Sequence, residues 1–500
     1  MKPFPAWLLI LGVPCLACAG LPAFPGAVGQ GAAALGGRGG DVYHVTSLED
    51  YDSDNDEPKI PGTLRHALRS ATGPRTVVFD VSGPIALKCP LAVRKDRLTI
   101  AGQTSPGGIT LWGYPLDVTK CSDIVIRHLR VRLGDFHAKR DAPGKSLGGN
   151  NDLDPSTANA VALYDAQRVI LDHVSASWGM DETLSVTRCR DVTVQNTLIA
   201  ESLRDSFHEK GSHGYGSLVR GELTATDRED NEGGYTFYRD LWAHHDARNP
   251  SIGGQQKLER GQMERDRRST DVNLVNCVVY NWGSRATHRS NDGLVRLNLL
   301  GNCYVNGPAR DAKDFFYGTK TGPTQLRHRG NLHYRRPREG RPRELVDPSR
   351  EGSQGIRGMN KSDEVSAAEP PFGFIGDLAE ELVLTDQAFE EVLAAVGASL
   401  WRDAVDRRVV NSVREGGGSL IDSQDQLRIA GRLPGIDDLK TQRRPPGFDT
   451  DGDGMPDQYE QAHGLSPENP EDRNGVDATA KGYTNLEAYL DSLTTDNNGS

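Results

Sequence analysis

The segment DIVIRHLRV (residues 123–131) recurs along the chain, and this recurrence decides the fold. Its later copies are RVILDHVSA (168–176), DVTVQNTLI (191–199), DVNLVNCVV (271–279) and GLVRLNLLG (293–301). The first four copies have apolar residues at their second and fourth positions, and the fifth keeps only the second. Because side chains alternate between the two faces of a strand, this pattern predicts β-strands. The sixth position is polar in all the copies: His128, His173, Asn196, Asn276 and Asn298.

The spacing of the copies predicts how the strands are connected. Successive copies begin 45, 23, 80 and 22 residues apart, and the longest interval contains a weaker copy, GYTFYRDLW (234–242). A unit of 22 or 23 residues is too short for a strand–helix–strand crossover. It suits one coil of a parallel β-helix, in which each coil stacks only on its neighbours. We expect the polar sixth positions to form a ladder that bonds the backbone at a turn.

The coils are expected to run from about residue 42 to about residue 308. GTLRHALRS (62–70) predicts a short capping helix ahead of them. Residues 319–371 are rich in Arg, Pro and Gly and are interpreted as extended loops, whereas TDQAFEEVLAAVG (385–397) and WRDAVDRRVVNSV (401–413) have helical spacing. TQRRPPG (441–447) is interpreted as a linker before the tail.

Residues 1–19 have the features of a secretory signal peptide. A lysine precedes a short apolar run, and Ala17-Cys18-Ala19 is a small-residue cleavage site. A lipid anchor on Cys18 is the alternative, and no later segment is apolar enough to span a membrane. Five cysteines remain after the leader, an odd number without a CxxC pair, which argues against a disulfide framework or a zinc site. We expect them to be buried as small apolar side chains.

The negative charge of the chain is concentrated in its tail. The net charge is −11, and residues 447–500 contain twelve acidic and two basic residues. The segment DTDGDGMPDQYE (449–460) places carboxylates at loop positions one, three, five, nine and twelve, with glycine at position six. This is the spacing of a twelve-residue calcium loop. The predicted ligands are the side chains of Asp449, Asp451, Asp453, Asp457 and Glu460 and the carbonyl of Met455. The tail resembles the thrombospondin type 3 and dockerin-like repeats of secreted bacterial enzymes.

Several further motifs, in a fixed order, carry a resemblance to a known family. They are FPGAVGQGAAALGGRGG (24–40), GTLRHALRSATGPRTVVFDVSGPIAL (62–87), LTIAGQTSPGGITLWG (98–113), VILDHVSASWGMDETLSV (169–186), HHDARNP (244–250) and VNCVVYNWG (275–283). Together they resemble the secreted bacterial branch of the pectate lyase family. The resemblance implies an all-β fold, a right-handed parallel β-helix, to which the tail adds a small α-helical calcium-binding module. The expected organisation is a signal peptide (1–19), a β-helix domain (20–318), a loop-rich and helical extension packed on it (319–446), and the calcium-binding tail (447–500).

The resemblance also implies a reaction, the β-elimination of polygalacturonate or a related acidic polysaccharide. A base removes the proton at C5 of the sugar acid, the oxygen on C4 leaves, and calcium with fixed cations neutralises the developing enolate. Arg248 takes the position of the base, and Lys210 that of the cation facing the substrate carboxylate. His213, His244 and His245 are assigned to substrate binding. Reasoning from pKa alone favours a histidine as the base, so His244 and His245 remain alternatives to Arg248.

The resemblance implies a catalytic calcium held by carboxylates of the body. Asp181 and Glu182 are the expected ligands, with Asp152 and Asp154 on the preceding loop and Asn159 before the next strand. The chain departs from the family pattern at Ser185, where an aspartate is expected, and at Gly253, where a second arginine is expected.

Two other functions remain open from the sequence. The first is a β-helix glycoside hydrolase of the polygalacturonase type, which needs a pair of carboxylates that Asp172, Asp181 and Glu182 could supply. The second is a non-catalytic carbohydrate-binding β-helix protein. The expected partner is an acidic polysaccharide, with no nucleic acid and no membrane span, for a monomer outside the cell.

Overall fold

Short parallel strands follow one another along most of the chain. The computed structural model describes residues 20–495, except for 140–148, 256–257, 259, 264–265, 291, 320, 340–342, 347–354, 384 and 477–480. The predicted signal peptide, including Cys18, lies outside the described residues. Within the described part of the chain, the strands form three sheets of eleven, nine and ten strands.

The first sheet contains the repeat that was recognised in the sequence. Its strands, in order, are Asp41–Val45, Arg75–Phe79, Leu98–Ala101, Ser122–Arg127, Gln167–Asp172, Arg190–Gln195, Tyr235–Tyr238, Thr270–Val275, Val295–Leu300, Thr324–Arg329 and Glu364–Ser366.

The second sheet carries the candidate site. Its strands are Leu91–Val93, Leu116–Thr119, Val161–Tyr164, Glu182–Thr187, Tyr215–Arg220, Ser251–Gly253, Thr287–Arg289, Phe316–Tyr317 and Ile356–Arg357.

The third sheet closes each coil. Its parallel strands are Val81–Ala86, Ile109–Trp112, Leu129–Arg132, Ser175–Ser177, Leu198–Ala200, Leu241–Ala243, Val278–Tyr280, Cys303–Val305 and Leu332–Tyr334. The short strand Gln442–Arg443 adds to its first edge in antiparallel orientation, pairing with Val81 and Ser82. The predicted linker is therefore partly a strand.

Residues one coil apart lie in register, which is the arrangement of a parallel β-helix. Val169 pairs with Ile124 of the coil before it and with Val192 of the coil after it. These three side chains point inward and are at most 1% exposed. The stacked apolar rows form one continuous core, and their burial is the main stabilising contribution. The parallel β-helix predicted from the repeat is confirmed.

The polar ladder lies at the turn that follows the strands of the first sheet. His128, His173, Asn196 and Asn276 have φ between 49° and 53°, the left-handed region in which asparagine is tolerated best among residues with a side chain. The imidazole rings of His128 and His173 stack with centroids 4.7 Å apart.

The alignment of the fifth copy was wrong by three residues. Val275 pairs with Leu300, so Asn276 is matched by Gly301 (φ 63°), and Asn298 lies within the strand instead. There its amide donates to the side-chain oxygen of Asn273 at 2.9 Å.

The β-helix extends beyond the predicted boundary at residue 318. Strands of all three sheets follow it, and the last of them is Glu364–Ser366. The interpretation of residues 319–371 as extended loops was wrong over these strands. The strand Thr324–Arg329 has the sequence TQLRHR, in which Leu326 is the one apolar residue that enters the core. A single apolar residue gives too little alternation to identify a strand from sequence.

The helices lie outside the coils. They are α1 (Leu64–Arg69), α2 (Ala225–Asp230), α3 (Thr385–Ala395), α4 (Ala404–Glu415), α5 (Asp457–His463) and α6 (Asn485–Thr495). Helix α1 is the predicted capping helix, and the Thr63 side chain caps it by accepting from the His66 backbone N–H. Helices α3 and α4 correspond to the two helical segments of the extension, and buried residues of both belong to the main core. Helices α5 and α6 form the tail module.

The five cysteines of the described chain are free and buried, as expected. Among the described residues, no helix is long and apolar enough to cross a membrane.

Candidate active site

The segment HHDARNP connects the third sheet to the second. It follows Leu241–Ala243 and ends at Ser251–Gly253, so Arg248 lies where a strand of the second sheet begins. The carbonyl of Arg248 accepts a hydrogen bond from the backbone N–H of Ser217, which fixes its backbone against the preceding coil. The start of the preceding strands supplies Glu182 and Tyr215, which are paired in register. The parallel stacking therefore brings residues from three coils together.

Arg248 is held between a carboxylate and an aromatic ring. Its guanidinium contacts the Glu182 carboxylate and lies 4.3 Å from the centroid of the Tyr215 ring. The Arg248 side chain is 25% exposed, whereas that of Glu182 is 2% exposed. Burial lowers the pKa of Arg248, the charge of Asp181 raises it, and the charge of Arg285 lowers it further. Contact with Glu182 favours the protonated form.

Asp181 forms a second cluster with two histidines. The Nε2 atom of His213 lies 2.8 Å from Asp181 Oδ1, and that of His208 lies 3.7 Å from the same oxygen. The two imidazole rings stack with centroids 3.7 Å apart. Burial and the neighbouring His213 lower the pKa of His208. Lys210 is exposed on the same loop, and its backbone N–H donates to His208 Nδ1 at 3.1 Å.

These hydrogen bonds argue against a transition metal at Asp181, His208 and His213. Because His208 Nδ1 accepts a hydrogen bond, the proton of the neutral ring is on Nε2, the atom that would have to bind the metal. Imidazole nitrogen is also not a ligand that calcium prefers. The cluster is better described as a hydrogen-bonded carboxylate and imidazole pair beside Arg248.

His244 and His245 do not face a substrate, which corrects their assignment to substrate binding. Their residues are 1% and 0% exposed. His244 Nε2 bonds Ser412 Oγ and its Nδ1 accepts from the Asn281 amide, both at 2.8 Å. His245 Nδ1 bonds Ser202 Oγ at 2.8 Å.

Burial lowers the pKa of His244 to about 4 and that of His245 to about 3. Both imidazoles are therefore neutral structural groups, and the alternative of a histidine base at these positions loses its support. Two histidines in a row suggest exposure in sequence, but His244 is covered by Ser412 of α4, and His245 bonds Ser202 and the Ile199 carbonyl of the preceding coil.

The calcium ligands expected in the body are only partly brought together. Asn159 lies beside Glu182, since its side-chain oxygen accepts from the Glu182 backbone N–H at 2.9 Å. Asp152 instead accepts from the Tyr114 hydroxyl at 2.7 Å. Exposed Asp154 accepts from the backbone N–H of Ser156 at 3.0 Å.

Asp181 and Glu182 are each already engaged by a cationic or proton-donating group of the protein, His213 and Arg248. Calcium requires about six to eight oxygen ligands. The donor set of the body does not fit calcium as it stands.

The tail contains a much better set of calcium ligands. Carboxylate oxygens of Asp449, Asp451 and Asp453 lie within 4.8 Å of one another, and so do those of Asp453, Glu460 and Asp472. Glu460 is 0% exposed, and neither of its carboxylate oxygens has a hydrogen-bond partner among the described residues. One buried oxygen each of Asp451, Asp453 and Asp472 is also unpartnered.

Burial and the neighbouring carboxylates raise the pKa of Asp453 to about 7 and that of Glu460 to about 8. Unpaired buried oxygens that repel one another are what a divalent cation would stabilise. The residues of the tail therefore fit calcium.

Two details of the tail differ from the prediction. Asp457 does not join the cluster, because its carboxylate accepts from the backbone N–H and hydroxyl of Thr450 at 2.7 and 2.6 Å. Asp472 joins it from twelve positions beyond Glu460, which loop spacing alone could not indicate. Met455 is buried and its backbone N–H donates to Asp453, and the role of its carbonyl as a calcium ligand stays a prediction.

Asp172 cannot be part of a hydrolase pair with Asp181 and Glu182. It lies in the first sheet, is 1% exposed, and accepts from Arg127, Gln195 and Asn196 while bonding His173. Its carboxylate is therefore saturated inside the turn.

Comparison with known proteins agrees with the resemblance that the motifs carry. The chain is 31% identical to the "Probable pectate lyase C" of Emericella nidulans, over 99% of this chain and 97% of that one. The protein of the same name from Aspergillus fumigatus is 31% identical over 95% and 94% of the two chains. A shorter match, to the "Putative pectate lyase 21" of Arabidopsis thaliana, is 32% identical over 34% of this chain and 41% of that protein. No family model matches.

Among solved structures, a pectate lyase from a Paenibacillus species aligns with a TM-score of 0.47 at 11% identity, over 78% of this chain and 99% of that one. The cedar pollen allergen Jun a 1 aligns with a TM-score of 0.45 at 19% identity, over 74% and 92%. The full-length relatives are fungal, so the narrower assignment to a bacterial branch stays a prediction. On the strength of the matches that span nearly the whole chain, together with the β-helix and its motifs, this protein belongs to the pectate lyase family.

Proposed function

We propose that the protein is a lyase that cleaves pectate or a related acidic polysaccharide by β-elimination. The observation that carries the proposal is the position of Arg248. Arg248 has a partly exposed guanidinium whose pKa is lowered by burial, and it lies in the turn before a strand, beside the carboxylates of Asp181 and Glu182. The full-length relatives named as pectate lyases support the same reaction.

Arg248 is proposed as the base. In its neutral form it removes the proton from C5 of a galacturonate residue, and the electron pair becomes the C4–C5 double bond as the bond from C4 to the glycosidic oxygen breaks. The departing oxygen takes a proton from solvent water, so the products are an unsaturated uronate end and a new reducing end. Arg248 leaves the step protonated, and Glu182 is placed to stabilise that charge. Lys210, exposed on the neighbouring loop, would bind a substrate carboxylate.

The test uses three purified variants and a polygalacturonate substrate. Arg248→Lys keeps a cation but loses the planar guanidinium and its reach. We expect kcat to fall by a factor of about a thousand with little change in KM, the pattern of an interaction made only in the transition state. Lys210→Ala should mainly raise KM. Glu209→Gln, an exposed neighbour, is the control. The unsaturated product absorbs in the ultraviolet, so a reducing end without this absorbance would identify a hydrolase instead.

Calcium and secretion are further parts of the proposal. The carboxylates of Asp449, Asp451, Asp453, Glu460 and Asp472 would hold one calcium ion in the tail, as the unpartnered oxygens of Glu460 support. In this position the ion would link the loop at residues 449–460 to Asp472, which lies in the segment that follows α5. Pectate is an extracellular polymer, which agrees with the signal peptide expected at residues 1–19. We infer a monomeric extracellular enzyme.

A further inference from the structure

Tyr215 contacts both Arg248 and the histidine pair at Asp181. The Cζ atom of Arg248 lies over the Tyr215 ring, 4.3 Å from its centroid. The His213 ring also packs against the Tyr215 ring, with the centroids 4.3 Å apart and the planes tilted by 58°. His213 is itself held by its bond to Asp181 and by stacking on His208. The Tyr215 ring is therefore held in place on the site, yet the proton transfer proposed for Arg248 does not use it.

The backbone next to Tyr215 is pressed against the segment that carries Arg248. The backbone N–H of Gly216 donates to the Ala247 carbonyl at 3.1 Å, and that of Ser217 donates to the Arg248 carbonyl at 2.6 Å. A Cβ atom at Gly216 would lie 2.4 Å from the Arg248 carbonyl oxygen, which is closer than two such atoms can approach. Glycine therefore permits this close contact between the segments, and the contact places the Tyr215 ring beside the Arg248 side chain.

The ion pair with Glu182 does not fix the Arg248 guanidinium by itself. It joins Nη1 of Arg248 to the Glu182 carboxylate, and the plane of the guanidinium can still turn about this single contact. A planar guanidinium packs on the face of an aromatic ring, so the Tyr215 ring restrains the orientation of that plane. The neutral guanidine carries its basic lone pair in the plane of the group. The orientation of the plane therefore decides whether the lone pair points at the proton to be removed.

We propose that Tyr215 is a positioning residue, whose ring orients the Arg248 guanidinium for removal of the proton at C5. This inference rests on the proposed function. Glu182 holds one edge of the guanidinium and Tyr215 holds its plane, so that the two contacts together define one orientation. The contact with Arg248 is made by the ring, and the phenol hydroxyl plays no part in it.

The test compares Tyr215→Phe and Tyr215→Ala with the wild type on polygalacturonate, with formation of the unsaturated product as the assay. Tyr215→Phe keeps the ring, so kcat should stay within about threefold of the wild type. Tyr215→Ala removes the ring, and kcat should fall about a hundredfold with KM within about twofold, because a misplaced base slows the chemical step without weakening substrate binding. If Tyr215→Ala does not fold, Tyr215→Leu takes its place with the same expectation, since it keeps apolar volume without a flat ring.

Tyr164→Ala is the matched control. Tyr164 is an exposed tyrosine of the second sheet, and its ring centroid also lies 4.3 Å from the Cζ atom of an arginine, Arg188. Arg188 is paired with Asp165, and neither belongs to the candidate site. The kcat and KM of Tyr164→Ala should match those of the wild type, and the melting temperature of each variant shows whether the fold is intact.

Three kinetic outcomes would overturn the inference. The first is an unchanged kcat in folded Tyr215→Ala. The second is a loss of kcat in Tyr215→Phe as large as in Tyr215→Ala, since the hydroxyl would then be the functional group. The third is a loss confined to KM, because Tyr215 would then contact the substrate instead of positioning Arg248.

Crystal structures of the two variants separate this inference from the proposed function. We expect the Arg248 guanidinium to keep its position in Tyr215→Phe and to move by about 1 Å or more in Tyr215→Ala. If it moves in this way but the wild type forms no unsaturated product, the positioning of Arg248 by Tyr215 is supported and the lyase proposal is wrong. A guanidinium at the same position in wild type and Tyr215→Ala would overturn the inference whatever the activity.

Discussion

The Glu182 carboxylate and the Arg248 guanidinium form an ion pair between two coils that are separated by the coil of Tyr215. Glu182 begins one strand, Tyr215 begins the next, and Arg248 lies in the turn before the third. Two opposing effects act on the protonation of Arg248, the proposed base. Burial of Arg248 favours its neutral form, and the charge of Asp181 opposes this by raising the pKa. The contact with the Glu182 carboxylate also favours the protonated form. The strength of this ion pair should therefore set the pH range over which the activity of the enzyme rises.

We predict that Glu182→Gln shifts the pH dependence of kcat/KM towards lower pH. The base must be neutral, so activity rises as pH rises through the pKa of Arg248. Removing the negative charge of Glu182 lowers that pKa, and the rise in activity should move down by about one pH unit or more. The measurement is a pH profile of unsaturated product formation, with Glu209→Gln as the control. A profile that does not move would show that Arg248 is not the titrating base.

We predict that the His245→Ala variant is less stable than the wild type and retains its catalytic activity. The substitution removes a buried ring and leaves Ser202 and the Ile199 carbonyl without their partner. We expect a loss of about 2–4 kcal/mol in the free energy of unfolding, measured by denaturant titration. At a temperature where the variant is folded, kcat on polygalacturonate should stay within about threefold of the wild type, because a loss of proton transfer would cost far more. Loss of turnover in folded protein would return a histidine to consideration as the base.

We predict that the fold decides the ligands of the tail where it differs from the loop spacing, so that Asp472 binds calcium and Asp457 does not. Glu460→Gln and Asp472→Asn should each weaken calcium binding at least tenfold, measured by calorimetry on the full chain, since each removes a charged ligand. Asp457→Asn is the matched comparison, because Asp457 caps Thr450 and lies outside the cluster. If Asp457→Asn weakens binding as much as Asp472→Asn, the loop binds calcium as its spacing first suggested.

The pH dependence of stability gives a second test of the tail. The pKa of Asp453 is raised to about 7 and that of Glu460 to about 8 in the folded, calcium-free state. A carboxyl group with a raised folded pKa stabilises the fold while it is protonated, and this contribution is lost as pH rises. In chelator, the melting temperature of the tail should therefore fall between about pH 5 and pH 8. Calcium should remove the fall. A melting temperature independent of pH in chelator would contradict the repulsion inferred at Glu460.

The sequence predicted those parts of the fold in which apolar alternation is strong. The copy at residues 123–131 has two alternating apolar residues and a polar turn residue, and its strand was identified correctly. The last coils were missed because the strand at Thr324–Arg329 has only Leu326 to mark its inward face. Asn298 was placed at the turn because a glycine, Gly301, performs the same backbone role without a polar side chain.

Site residues that belong to a recognisable motif were predicted from the sequence. Residues that reach the site only because the coils stack on one another were missed. Arg248, Asp181 and Glu182 were identified through motifs, and the fold places them close together. Arg285 lies 37 residues after Arg248, and its proximity follows from the length of the coil between them. Tyr215 and Asp472 are single residues without a motif, so sequence alone gave no reason to select them.

The strand Gln442–Arg443 has a consequence for how the molecule avoids self-association. The first strand of the third sheet would otherwise present unpaired backbone groups at an open edge, and such edges readily recruit strands of other chains. The antiparallel pairing with Val81 and Ser82 covers part of this edge. A chain shortened after residue 447 keeps this cover, whereas one shortened before residue 442 exposes the edge. At equal concentration, a chain shortened before residue 442 should therefore aggregate more readily than one shortened after residue 447.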